Sequence, residues 1–588
     1  MDSKHVTEST SGQEDIQKTW WKEAIIYQIY PRSFQDSDGD GIGDLNGITS
    51  RLDYIQSLGV DIIWLNPIFL SPNDDNGYDI SDYREIMREF GTMEDFDRLL
   101  KEIHKREMRL VLDLVVNHTS DEHPWFEEAR KSRHNPYYNY YHWWPAEKGE
   151  PPLRLSYFDE EGNAWTYNKP TDSYYLHYFS RKQPDLNWEN PEVRQEIFDM
   201  MRFWFDKGID GFRMDSISLI AKDPSFPLID SKKYPDIFSF YAKEPRLHLY
   251  LHEMNRQVLS KYDCMSVGEG SAVMVDDVAK FVDPAREELN MLYHFDAARI
   301  RNTTLPDNPE SGIDYSLIAL KKMFTEWDKA VDKGWPSIYL SNHDQPRMVS
   351  RFGSDKDEFR ALSTKMLITF LLTMRGTPYW FAGDEIGMRN IRFDHIEDYN
   401  DIDTINRYKK AKAEGKDPQA VLDEQKETGR DNARTPFQWD RSPEAGFTAG
   451  TPWLKVNPDY TWINVADEEK DPTSILNYFK KVVSFRKENP SLIYGSYHLL
   501  DAENPQSYTF LRKTGADTYL IMLNFSPKAA ISTPGIDMSN AHVLLDNYGD
   551  RSHMAPQKDI TLRPFEAIVF QLNHPVYESF IDSLDLLE

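Results

Sequence analysis

The sequence predicts an α/β protein. Its core is a (β/α)8 barrel with a loop-rich domain inserted after the third strand, and a C-terminal antiparallel β-sandwich follows. Three observations carry this. Short β-rich apolar runs alternate with amphipathic segments between residues 24 and 385, the pattern of a parallel sheet with crossover helices. Eight such runs in one unit favour a closed barrel over an open sheet. From about residue 495 the helical segments stop, and strand patterns joined by Gly, Pro, Asp and Asn turns take over.

The strands are read, in order, as AIIYQIY (24–30), DIIWLNP (61–67), RLVLDLVVNH (109–118), GFRMD (211–215), CMSVGE (264–269), NMLYHF (290–295), PSIYLSNHD (336–344) and TPYWFAGDE (377–385). EDFDRLLKEIHKR (94–106) and PEVRQEIFDMMRFWFDKG (191–208) show helical periodicity between them. Two intervals break the rhythm. Residues 119–186, rich in Tyr, Trp, His and Pro, are too long for an ordinary loop and read as an inserted domain. Residues 386–440 are charged, partly helical, and end in GRDNARTPFQWD. The expected division is a disordered leader (1–18), the barrel (19–118 and 187–494), the insertion (119–186), the sandwich (495–574) and a tail (575–588).

Composition narrows the function. A formal net charge of −29 repels nucleic acid and anionic lipid, so neither is an expected partner. Aromatic residues reach 13%, and aromatic faces stack on sugar rings. The single cysteine, Cys264, excludes an intrachain disulfide. The first residues lack the apolar segment of a signal peptide, and no apolar run is long enough to span a bilayer. The expectation is a cytoplasmic monomer or homodimer acting on a small neutral molecule.

Active sites of such barrels lie at the C-terminal ends of the strands. Strand three ends in Asp113, Asn117 and His118, strand four in Arg213 and Asp215, strand five in Glu269, and strand seven in His343 and Asp344. One polar residue there could be a cap. Three acids on strands four, five and seven point to glycosidic chemistry, which needs two carboxyl groups flanking the anomeric carbon. Neighbouring strands lie about 4.8 Å apart. That spacing suits the ~5–5.5 Å of a retaining pair, and Asp215 and Glu269 would form it. Arg213, two residues before Asp215, points to the same face and is expected to lower its pKa. Glu269 is expected to be raised by burial and neighbouring acids, and Asp344 to bind sugar hydroxyls.

DLVVNH (113–118), GFRMDSISL (211–219), VGEG (267–270) and SNHD (341–344) closely resemble the four short conserved regions of the α-amylase superfamily. QPDLNW (183–188), the opening WWKEAIIYQIYPRSFQDSDGDGIGDLNGI, NDDNGYDISDY and GRDNARTPFQWD resemble its oligo-1,6-glucosidase, α-glucosidase and sucrose isomerase group, over about residues 20–572. The resemblance implies a TIM barrel with Asp215 as nucleophile, Glu269 as acid/base and Asp344 as transition-state stabiliser. His118, Arg213 and His343 would bind the glucosyl ring, and Tyr78 would stack beneath it. Asp75 and Arg430 would hold the 4-hydroxyl of a terminal glucose and close the pocket, making the enzyme exo-acting. Phe158, Phe179 and Gln183 match further pocket residues, although the loop RLSYFDEEGNAW is two residues longer than usual. The residue after the nucleophile bears on linkage; the small, polar Ser216 points to α-1,4 or mixed specificity.

In DSDGDGIGD, Asp36, Asp38, Asp40 and Asp44, with a carbonyl from Ile42, offer oxygen ligands at spacings that suit a hard cation. Gly47 stands where an EF-hand needs glutamate, so the loop is not one. Relatives in the family carry Ca²⁺ or Mg²⁺ in the equivalent loop, so a structural ion is expected and no organic cofactor. The same acids would repel phosphate, which excludes a nucleotide-binding loop. Two other readings start from the same barrel. A transglucosylase or sucrose isomerase would use the same intermediate, but isomerases carry an arginine-rich RLDRD-type loop where this chain has HFDAARIRNTT (294–304). Transporter heavy chains share the barrel but have a membrane helix and degenerate acids.

Overall fold

The structure, a computed structural model, describes residues 18–158, 162–515, 517–551 and 558–572. The expected tail, and all of the expected leader but Lys18, lie outside them. Eight parallel strands make the barrel. They are β1 (Ile26–Ile29), β2 (Ile62–Leu65), β3 (Arg109–Val115), β4 (Gly211–Asp215), β5 (Met265–Glu269), β6 (Met291–Tyr293), β7 (Ser337–Ile338) and β8 (Thr377–Phe381). Their order around the sheet is 6-5-4-3-2-1-8-7, with β8 pairing back onto β1. Side chains close the seam between β6 and β7. Ser337 Oγ donates to Leu292 O at 2.9 Å and the Tyr339 hydroxyl donates to His294 O at 2.6 Å.

Strand periodicity builds the interior. Ile26, Ile62, Trp64, Val111, Met265 and Val267 point into the barrel, while Tyr27, Ile63, Leu65, Leu110 and Phe212 face the surrounding helices. The helices begin and end where local chemistry dictates. In α1 (Met93–Lys105), Thr92 and Asp95 form a capping box. In α2 (Pro191–Lys207), Asn190 caps the N-terminus, Pro191 takes the first turn, and Gly208 ends the helix at φ 108°.

Within 119–186, the strands Trp143–Pro145, Trp165–Asn168 and Ser173–Leu176 form a three-stranded antiparallel sheet. At the C-terminus β9 (Ser496–Leu500), β10 (Ser507–Thr514), β11 (Asp517–Asn524), β12 (Ala541–Asp546) and β13 (Ala567–Leu572) form an antiparallel sheet ordered 9-10-11-13-12. The ribbon of Ala530–Ser532 and Ile560–Leu562 completes the sandwich over a core of Leu511, Leu520, Met522 and Ile568. Arg512, fully buried, ties this domain to the barrel by donating to the carbonyls of Thr373, Leu492, Ile493 and Gly495.

Candidate active site

The alternation that fills the barrel also equips its C-terminal mouth. Asp113 on β3, Arg213 and Asp215 on β4 and Glu269 on β5 share the inward phase of Val111 and Val267. The register pairs Asp113 with Arg213 and Gly268 with Met214, which sets Glu269 level with Asp215. A buried guanidinium joins them. Arg213 donates to Asp113 at 2.6 Å and to Asp215 at 2.7 Å, and its other terminal nitrogen reaches Glu269. Tyr293 on β6 holds Arg213 Nε at 2.8 Å. Asp344, from the segment after β7, meets Arg434 at 2.9 Å and Arg430 at 3.2 Å.

Burial separates the acids. It pushes Glu269 up to about 8; Arg213 opposes this, while Asp215 and Asp344 add to it. Asp215 also rises, to about 6, because burial outweighs the Arg213 charge and its hydrogen bond with Glu269. From the sequence alone, Arg213 is expected to lower Asp215 below its ordinary value. The arginine does act in that direction, but desolvation of a carboxyl at the barrel floor is larger. The order survives: near neutral pH Asp215 is mostly ionised and Glu269 mostly protonated. Burial also works against ionising Asp344, yet His343, Arg430 and Arg434 together hold it well below the usual carboxylate range.

Asp215, Glu269 and Asp344 line a cavity of about 370 Å³ that also includes Asp75, Tyr78, His118, Phe158, Phe179 and Ser216 in its wall. Tyr78 lies parallel to the His343 ring, centroids 5.2 Å apart, and its hydroxyl donates to Asp113 at 3.1 Å. His118 Nε2 lies 3.0 Å from Tyr78 O and 3.2 Å from Gln183 Nε2, and Gln183 also donates to Asp75 at 3.2 Å. Arg430 bridges this wall: it meets Asp75 and Asp344 at 3.2 Å each, its Nε donates to Asp401 at 2.7 Å, and it covers the Phe158 ring at 4.7 Å. The structure thus gathers all thirteen residues expected at the sugar site.

A family model for the α-amylase catalytic domain matches residues 28–495. The chain belongs to the α-amylase family. It is 51% identical over 571 residues to an oligo-1,6-glucosidase of Parageobacillus thermoglucosidasius, covering 95% of this chain and 100% of that one. It is 49% identical to the Bacillus cereus oligo-1,6-glucosidase, with 95% and 100% covered. The isomaltulose synthase SmuA from Protaminobacter rubrum superposes with a TM-score of 0.89 at 43% identity, over 95% of this chain and 100% of its own. The chain is a glycoside hydrolase of this family.

Several residues of this α-amylase-family site escaped the sequence reading. Arg434 supports Asp344 and donates from Nε to His343 O at 2.9 Å. Its spacing from Arg430, four residues along one helical turn, was the available signal. Asp401 and Tyr293 carried no signal, because their partners are distant in sequence, whereas Ser271 stands only two residues after its partner Glu269. Arg299 and Phe295, from the segment after β6, also line the cavity. In the acidic loop, oxygens of Asp36, Asp38 and Asp40 lie within 4.8 Å of one another. Asp44 stands apart from them as the N-cap of the helix Leu45–Ser50, bonded to Gly47 N at 2.7 Å. Gly41 is required here: its φ is 94°, and a Cβ would lie 1.8 Å from Thr451 O.

Proposed function

We propose that the protein is a retaining, exo-acting α-glucosidase that releases glucose from the non-reducing end of short α-glucosides. The carrying observation is one arginine joining two unequal carboxyls, Asp215 and Glu269, in a cavity whose wall also holds the Asp75–Arg430 ion pair, which would meet the 4-hydroxyl of a terminal glucose. Glu269 gives its proton to the departing glycosidic oxygen as Asp215 bonds the anomeric carbon. Asp344 accepts from ring hydroxyls as positive charge develops at that carbon. Glu269 then takes a proton from water, whose oxygen bonds the anomeric carbon as the Asp215 ester breaks. The intermediate makes inversion happen twice, so α-glucose is the first product.

Ser216 follows the nucleophile at φ 43°, a strained position for a residue with a Cβ. Its small hydroxyl fits mixed α-1,4 and α-1,6 use, and the oligo-1,6-glucosidase relatives favour α-1,6 being included. A second reading is transglucosylation or sucrose isomerisation. The likeness to isomaltulose synthase favours it, together with Phe295 and Arg299 at the cavity wall.

Asp36, Asp38 and Asp40, with the Ile42 carbonyl and Asp44 nearby, would hold a structural Ca²⁺ or Mg²⁺. Burial pushes the Asp40 carboxyl up; the Ile42 amide opposes this, and the neighbouring acids add to it, a conflict that a divalent cation relieves. The ion would brace the loop and supply no chemistry at the acids. No helix of the described residues is long and apolar enough to cross a membrane.

The test is product analysis on maltose, isomaltose, kojibiose, nigerose, sucrose and trehalose, with the first anomer followed by NMR. α-Glucose from maltose or isomaltose supports the reading. β-Glucose as first product refutes the retaining step, and conversion of sucrose to another disaccharide selects the isomerase.

A further inference from the structure

Glu269 must hold a proton, give it up, and take one back. The two oxygens of its carboxyl are differently placed for this. Oε2 accepts from the Arg213 guanidinium and from Ser216 N at 3.3 Å, so both its lone pairs face donors. The transferable proton therefore resides on Oε1. Ser271 Oγ lies 2.8 Å from Oε1, beside the hydrogen bond that the carboxyl also shares with Asp215.

A hydroxyl can serve both states of an acid from a single atom. It has one proton to donate and lone pairs to accept. We infer that Ser271 is a positioning residue for Glu269: its hydroxyl accepts from the acid before proton transfer and donates to the carboxylate after it. This rests on the reading of Glu269 as acid/base. It adds that Ser271 stabilises the ionised form needed in the second half-reaction, when water must be deprotonated.

The backbone is built to hold that hydroxyl in place. Gly270 N bonds to Tyr293 O at 2.8 Å, and Val273 N closes a turn onto Gly270 O at 3.2 Å. Ser218, from the segment after β4, donates to Ser271 O. Ala272 sits at φ 61°, a conformation that costs a non-glycine residue free energy and persists where the surroundings impose it. Ser271 itself lines the cavity, on the same wall as Phe295.

The other charged and titratable groups that act on Glu269 are Arg213 and Asp215 from β4, Asp344 and Tyr339 from the β7 segment, Tyr293 from β6, and Tyr157 from the insertion. Ser271→Ala leaves all of them in place. Loss of one hydrogen bond to the carboxylate then raises the Glu269 pKa by about one to two units.

Two measurements test this in Ser271→Ala and Ser271→Thr beside the wild type. The first is the pH profile of kcat and kcat/KM on p-nitrophenyl α-glucoside. The alkaline limb of kcat/KM should move up by about one to two units in the alanine variant. At pH 7, kcat should fall about tenfold or more, with a burst of nitrophenol as the glucosyl-enzyme accumulates. Threonine, which keeps the hydroxyl, should retain the wild-type profile. The second is infrared titration of the Glu269 carboxyl, assigned by its loss in Glu269→Gln, which needs no turnover. An unchanged titration in Ser271→Ala overturns the proposal, and so do equal shifts in Ala and Thr. If the titration moves as expected but the wild type cleaves no glucoside, the proton partnership stands and the glucosidase reading falls.

Discussion

Arg430→Ala tests the Asp75–Arg430 pair. The guanidinium meets Asp75 and Asp344 at 3.2 Å each, and its Nε donates to Asp401 at 2.7 Å. Asp344 keeps Arg434 at 2.9 Å, so the three acids at the barrel mouth stay in place. Asp75 fares differently. Burial already pushes it up to about 6, with Arg430 the strongest opposing charge. Without that charge its carboxyl becomes a neutral acid near pH 7, and a terminal 4-hydroxyl loses the guanidinium and the carboxylate together. A hydrogen bond to a charged group contributes about 1.5–3 kcal/mol. The expected loss is thus about 10- to 150-fold in kcat/KM for maltose or isomaltose. The same deletion removes a large group from the cavity wall, so longer maltooligosaccharides should lose less than the disaccharide. The assay is kcat/KM across chain lengths, with circular dichroism confirming the fold. A folded variant within about threefold of wild type on the disaccharide would refute the assigned role of the pair.

Three further outcomes are expected. The kcat/KM profile should be bell-shaped: activity falls below about pH 6 as Asp215 protonates and above about pH 8 as Glu269 ionises. A profile flat from pH 5 to 9 would contradict both assignments. Glu269→Gln should lose about 10²- to 10⁴-fold in kcat/KM on disaccharides while staying folded, and Asp215→Asn should form no trappable glucosyl-enzyme by mass spectrometry. Chelation, or Asp36→Ala, should lower the unfolding midpoint, by about 2.7 kcal/mol of lost stabilisation for an ion at a hundred times its dissociation constant. It should leave the pH profile unchanged; calorimetry with and without added Ca²⁺ reads the first effect.

The barrel was legible because its signals are local. Inward residues recur every second position in AIIYQIY and GFRMD, and helix signals such as Thr92–Asp95 and Asn190–Pro191 sit within a few residues of each other. The short strands were less legible. PSIYLSNHD reads as one strand, but only Ser337–Ile338 enters the sheet. Asn342 Oδ1 instead accepts from Asp344 N at 2.8 Å, turning the chain so that the acid faces the cavity. In the sandwich, Ser496–Leu500 and Ala530–Ser532 carry too little alternation to be seen, and their pairing partners supply what the pattern lacks.

The sequence by itself determined the fold, the family and the acids at the strand ends. Period-two strands point Asp215 and Glu269 inward whatever surrounds them, and the motifs name the kind of all three acids. Tertiary structure decided the rest. The joint contact of Arg213 with Asp113, Asp215 and Glu269 depends on register between three strands. The bridge by Arg430 joins residues 75, 344 and 401 across the chain. The rise of Asp215 rather than a fall, and the size of both shifts, also arose there, because a pKa depends on burial and on charges a few ångströms away. Neither quantity is local in sequence, and both are fixed only when the barrel closes.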